Sequence, residues 1–339
     1  MIKKIIFLKM VLTTIILLAI ACSMTYAEPI ITQTFTLNPG WNSVFLEIAP
    51  LEGQRDPNTV FQGLPQGTSV WTFIEQSSHV EFLTNPEEGL IGVPGWLAYF
   101  NAEQDACLNT LYAVLGKRAY LINLSGEDDV TLAITGIPVV TDLKWTTDSF
   151  NLTGFHLSKE GPNPTFYDFF APSGAHRGQA MYRLNNQGRW EFIDAPKSAF
   201  MKSGEAYWIY CQGASTYQGP LNIELNRIDG FNFGTILQNQ IIDLQNLSSF
   251  SRSLTFSLDA PGVVMTYRRL NKEGYFEWPP IGEMPAYTLA AAGNSGEGKR
   301  VYLGVRRELM DKGVSEGILT ISDNKGVRMW VPVIVEKYE

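Results

Sequence analysis

Polar and apolar positions along this chain change over short distances. The segments 43–48, 207–210, 254–258 and 317–321 are apolar or alternate with a period of two, and Gly, Pro, Asn or Asp bound them. That pattern predicts β-strands, because successive strand side chains point to opposite faces. Few windows carry the 3.6-residue period of a helix. Short helical turns are expected only near 58–62, 103–111 and 165–170. Loops that end in glycine, at 185–188, 271–274 and 323–326, separate apolar runs. They predict hairpins, since glycine admits the positive φ that a tight reversal needs.

Two stretches repeat one another. Trp41-Asn42 answers Phe150-Asn151, and Pro57-Asn58 with Phe61 answers Pro162-Asn163 with Phe166. Val70-Trp71 answers Met181-Tyr182, Glu81-Phe82 answers Glu191-Phe192, and LGKRAYLINLSG answers SGEAYWIYCQG. A shared order of anchors predicts one duplicated β-rich unit whose copies build the same core. The first copy is expected at 28–140, with an insertion at 83–110, and the second at 141–228.

Residues 229–339 form a third part. FNFGTI, LQNLSS, SRSLTFSL and GILTISDNKGVRMWVPVIV together resemble immunoglobulin-like domains of the Hydin type. What that resemblance implies is a sandwich of about seven strands used for packing or contact, without an active site. NPGWNSVFLEIAP, GLPQGTSVW and GEAYWIYCQG resemble segments of uncharacterised secreted bacterial β-repeat proteins. This second resemblance, over about 28–228, implies a bacterial exported protein and brings no activity with it. The expected fold class is therefore all-β: two duplicated β-rich units followed by an immunoglobulin-like β-sandwich.

Residues 1–27 read as an export signal, with Lys3, Lys4 and Lys9 ahead of an apolar run that is short for a membrane span. Thr25-Tyr26-Ala27 offers a cleavage site, whereas Ala19-Ile20-Ala21-Cys22 resembles a lipobox that would acylate Cys22. Both endings stay open, and both place the chain in the periplasm, on the cell surface or outside the cell. Without 1–27 the chain carries 23 basic and 34 acidic residues, a formal charge of −11. Such a balance disfavours nucleic acid and anionic lipid, so a lipid anchor is the one membrane link expected. Cys107 and Cys211 remain; in an oxidising compartment they either pair or stay as two buried thiols. A bond would staple the two copies and contribute about 4–5 kcal/mol by closing so long a loop.

Candidate chemistry is sparse. Gly293-Asn294-Ser295-Gly296 resembles a serine-protease nucleophile loop, but Glu297 replaces the third glycine and His176 is the one histidine in a remotely suitable context. His79, His156 and His176 lack the short spacing of zinc ligands. Glu87-Glu88 and Glu127-Asp128-Asp129 lack the alternation of a calcium loop. No catalytic residue, metal or cofactor is expected. The eight tryptophans are the strongest functional signal, because exported β-modules stack sugars on exposed aromatic faces. Trp41, Trp71 and Trp208 sit at repeat anchors and are expected in cores. Trp96, Trp190 and Trp278 are the expected ligand contacts.

The favoured reading is an exported, non-enzymatic structural, surface or adhesive protein whose partner is an extracellular polysaccharide or protein. The alternatives are a carbohydrate-binding protein that uses exposed tryptophans, and a hydrolase with dispersed carboxylates.

Overall fold

The computed structural model describes residues 29–74 and 94–338. The export signal, Cys22, His79, Glu81-Phe82 and Glu87-Glu88 lie outside the described residues.

The chain is all-β, and the duplication is visible in its topology. In the first copy β2 (Gly40–Leu46), β4 (Ser69–Phe73), β5 (Trp96–Phe100) and β6 (Arg118–Leu124) form an antiparallel sheet ordered β2-β6-β4-β5. In the second, β8 (Ser149–Thr153), β9 (Met181–Leu184), β10 (Trp190–Phe192) and β11 (Tyr207–Cys211) take the order β8-β11-β9-β10. First strand, last strand, second and third thus lie side by side in both. The register agrees as well: Asn42 and Val70 both face Ile122, while Asn151 and Met181 both face Ile209.

Side chains repeat with the strands. The Tyr120 hydroxyl accepts from Leu115 N (2.7 Å) and donates to Leu115 O (2.9 Å). The Tyr207 hydroxyl accepts from Lys202 N (2.7 Å), again five residues upstream, and donates to Glu205 Oε2 (2.8 Å). Asn42 and Asn151 each tie down the turn that precedes their strand, through bonds to Asn38 and Thr146 respectively. Two short helices also match. In α1 (Pro57–Val60) Asp56 caps Asn58 N, and in α2 (Phe166–Phe170) Thr165 caps Asp168 N. Phe61 and Phe166 lie edge-on to Tyr120 and Tyr207 at 6.5 and 4.9 Å.

One expected correspondence is corrected. β5 occupies the place of β10, although it falls inside the stretch expected to be an insertion. Phe73 faces Trp96 across the first sheet as Leu184 faces Trp190 across the second, so Trp96 answers Trp190.

Both repeat sheets are covered on both faces, which explains why AYLINL and AYWIYC are apolar at nearly every position. Tyr120, Ile122 and Leu124 point into a core shared with β1 (Ile31–Leu37), β3 (Ile48–Pro50) and β7 (Val130–Pro138), which form a sheet ordered β1-β7-β3. The opposite face, with Trp71, Ala98 and Leu121, packs on Leu184, Trp190 and Trp208 of the second sheet. Tyr207 and Ile209 then turn away from that interface into the large core of the rest of the chain.

The third part is an immunoglobulin-like β-sandwich. One sheet joins β13 (Phe231–Gly234), β22 (Arg328–Lys337), β21 (Gly313–Asp323), β15 (Arg252–Asp259) and β19 (Tyr287–Leu289) in that order. The other is β12 (Leu221–Leu225), β14 (Asn239–Asn246), β20 (Gly298–Val305) and β16 (Met265–Tyr267). β12 lies before the expected boundary at 229, yet it pairs with β14 from Leu221↔Asn246 onward, so the sandwich starts earlier. Hairpins stand at the three expected loops, including a small projecting one formed by β17 (Arg269–Leu270) and β18 (Phe276–Glu277). Inside the LQNLSS turn Asn246 is fully buried, binding Phe250 O and Ala290 O, while Ser248 receives Arg252 Nε at 3.0 Å. Arg252 also pairs with the buried Asp323, which in turn accepts from Lys325 N and Val327 N to close the last hairpin.

Candidate functional site

The three parts meet at one buried polar junction. Glu47 lies between β2 and β3, His156 just beyond β8, and Arg328 opens β22. Strand-like bonds bring the last two together: Ser158 N to Gly326 O (2.9 Å) and Arg328 N to His156 O (3.1 Å). Gly326 is required there, because a Cβ would fall 2.1 Å from Pro162 O. Arg328 Nη2 reaches Glu47 Oε1 at 2.8 Å, Glu47 Oε2 at 2.9 Å and Leu157 O at 3.0 Å. Its guanidinium stacks 3.3 Å over the Trp330 ring. His156 Nδ1 meets Glu47 Oε2 at 2.7 Å. Glu47 is 1% exposed and Arg328 7%, so these charges have left water.

Burial lowers the Arg328 pKa, with Glu47 opposing the shift. Burial also lowers that of His156, against the opposite pull of its bond to Glu47. Lys117 stands at the same junction and bonds Thr141 O. Burial brings its pKa down to about 8, against the pull of Asp142 and Glu47. A cavity of ≈ 50 Å³ opens here, lined among others by Lys117, Asp142, His156 and Arg328. His156 Nε2 and Arg328 Nη1 are buried without a partner.

Two larger grooves are open to solvent. One, of ≈ 610 Å³, runs between the repeat units past Trp41, Asp129, Asn186, Lys202 and Glu205. Trp41 is wedged against the 185–188 hairpin, where a Cβ on Gly188 would stand 3.1 Å from its ring, and its Nε1 is buried without a partner. The other, of ≈ 540 Å³, lies on the sandwich and is lined by Gln238, Asn239, Thr266, Trp278 and Arg306 among others.

The residues expected to matter are scattered. Trp190 is corrected from exposed to buried: it is 5% exposed and packs on Trp208 at 6.2 Å. The reason is that its strand faces the other copy, not solvent. Trp96 is half-buried in the same cluster, 6.2 Å from Trp208 and 5.4 Å from Phe73. Trp278 lines a solvent-open groove. Of the two readings left open for Cys107 and Cys211, the bond is not formed, for both thiols are free. Cys107 is exposed on the 3-10 turn Glu103–Leu108, whereas Cys211 is fully buried with its Sγ on Gly213 O at 3.3 Å.

Among the described residues, no three His, Cys, Asp or Glu side chains gather as a metal site. His176 is fully buried among Trp145, Phe170 and Tyr217 with Nδ1 on Ser173 Oγ (2.6 Å), and burial brings its pKa down to about 4. The junction is what sequence reasoning missed. Its signals were an acid inside the apolar run FLEIAP and an arginine opening the apolar final strand.

No protein-family model matches this chain, and no curated protein matches it in sequence. Among solved structures it is similar to the ASH / PapD-like domain of human CEP192 (PapD-like domain 7) at 8% identity and a TM-score of 0.22. That likeness covers 35% of this chain and 86% of the other.

Proposed function

We propose that this is an exported, non-enzymatic structural protein, which holds β-modules in one fixed arrangement and presents their outer surfaces to an extracellular polysaccharide or protein. The observation that carries the reading is the Glu47–Arg328 pair, which joins residues 281 positions apart across the junction of all three parts. A buried ion pair is a poor way to gain stability, since apolar residues of similar volume often do better. It is a good way to specify one geometry, because any other packing strands a charge. A linker of independent beads has no use for that property, and a spacer or surface element does. The test is to express the full chain with residues 1–27 in a bacterial host and recover it by fraction. Recovery outside the cytoplasm, beginning at Glu28 or at a lipidated Cys22, is expected. Retention in the cytoplasm with Met1 intact would overturn export, and turnover of any glycoside, ester or peptide in a substrate panel would overturn the non-enzymatic reading.

A second reading, sugar binding, is favoured by Trp278. It is half-buried in a groove that also presents amide and hydroxyl groups from Gln238, Asn239 and Thr266, the combination that grips a sugar ring and its hydroxyls. Residues 28–339 would be screened against polysaccharides with and without calcium. Saturable binding lost in Trp278→Ala supports this reading, and silence across the panel removes it.

A further inference from the structure

We propose that the cavity at the three-way junction binds a small monovalent anion, of halide size, held by Lys117 and Arg328. Space is the first argument. At ≈ 50 Å³ the cavity exceeds the roughly 10–15 Å³ that one water requires, and it is too small for a sugar or nucleotide.

An unused donor is the second argument. Arg328 directs Nη2 at both oxygens of Glu47 and at Leu157 O, which leaves Nη1 buried and unpartnered. His156 gives its Nδ1 proton to the Glu47 carboxylate, so the Nε2 of the neutral, buried ring is an acceptor and holds no anion. A buried guanidinium N–H is rarely left so, and on a residue that lines a cavity it calls for an acceptor there.

The charge balance sets the sign of that occupant. Glu47 is matched by Arg328 within 2.9 Å. Asp142, on the rim, is exposed and screened by water. Lys117 Nζ and Arg328 Nη1 can only donate, so the occupant must accept hydrogen bonds and a cation is repelled.

Lys117 supplies an independent observation through its backbone. It adopts φ +53°, the left-handed region that disfavours any residue with a Cβ. The equivalent position of the second copy is Gly204, at φ +74°. The fold therefore accepts glycine at this point, and the first copy keeps a lysine against its conformational preference. A strained residue of that kind points to a use for its side chain. The second copy has no lysine at this position.

Crystals of residues 28–339 soaked in sodium bromide provide the direct test, read by anomalous diffraction. A bromide peak between Lys117 Nζ and Arg328 Nη1 is expected. Water in the cavity, or bromide only at surface lysines, overturns the proposal. A solution test compares thermal unfolding in chloride and gluconate at constant ionic strength. The parent protein should gain about 2–4 °C in chloride, with saturation, as a ligand of the native state would give. Lys117→Gly, which adopts the backbone of the sister copy and so folds, should lose that gain. An equal gain in parent and variant, or none in the parent, overturns the proposal.

Discussion

Replacing Tyr120 and Tyr207 by phenylalanine, one at a time, removes a single oxygen from the same place in each copy. Both rings are buried, at 1% and 0% exposure, so their packing survives. The Tyr120 hydroxyl holds both backbone groups of Leu115, at 2.7 and 2.9 Å. Leu115 is 41% exposed, and water can replace part of what is lost. The expected cost is therefore near the lower end for an abandoned hydrogen-bonded pair, about 1–1.5 kcal/mol. Tyr207 should cost more, about 2 kcal/mol, because its proton serves the Glu205 carboxylate at 2.8 Å and bonds to charged groups are the stronger ones. Glu205 keeps its bond from Arg183 at 3.1 Å, which limits the loss. Guanidinium unfolding of residues 28–339, followed by fluorescence and circular dichroism, measures both. Alkali supplies a second readout. Burial pushes the Tyr120 hydroxyl up to about 12 from 10.0. Between those values the unfolded chain ionises this group and the folded chain does not, so the protein loses stability as pH rises. Tyr120→Phe should flatten that slope. If either variant is as stable as the parent within about 0.3 kcal/mol, the hydroxyls are not the repeated fasteners described above.

Three further outcomes are expected. Trp208→Ala empties the centre of the interface between the repeat sheets, where Trp208 is 2% exposed, and should cost about 3–5 kcal/mol in urea unfolding. His176 is held neutral down to about pH 4, so the folded form should lose stability as pH falls from 6.5 towards that value, because only the unfolded chain takes up the proton. Melting curves from pH 7 to 4 should show this slope, and His176→Gln should reduce it. Thiol titration should find Cys107 reactive in the native protein and Cys211 only after unfolding, as their exposure dictates.

The β-class, the hairpin loops and the repeat were legible because each depends on neighbours in sequence: the period of two, glycine at a turn, the order of anchors. AYLINL and AYWIYC even carried a sign of double burial, since a strand with one wet face would alternate. What failed depended on distant partners. Trp190 stands beside a hairpin loop, a position that reads as exposed, and only the arrival of the first sheet buries it. Trp96 went unmatched because the segment leading to it is much longer than the hairpin leading to Trp190, so no fixed offset aligned the two. Glu47 and Arg328 gave weak local signals, and nothing in the sequence connects residues 281 positions apart.

The way the copies meet explains why they have diverged where they did. In a symmetric pair of identical chains, a residue near the axis meets its own equivalent and must suit itself. Here equivalent positions also meet, but they need not carry the same residue. Counted from the matched asparagines Asn42 and Asn151, Phe45 answers Gly154. A Cβ on Gly154 would lie 2.3 Å from Phe45 Cβ, so the ring of one copy fills the room left by the other. Leu121 answers Trp208 in the same way, and the single large ring nests against both Trp96 and Trp190. Two rings at either place would overfill the interface, and two small residues would leave it hollow. Fusing the copies in one chain permits this large-on-small packing, which two identical subunits could not adopt. The apolar outer face of each repeat sheet is thus covered within one molecule, and the sandwich then locks the pair through Arg328.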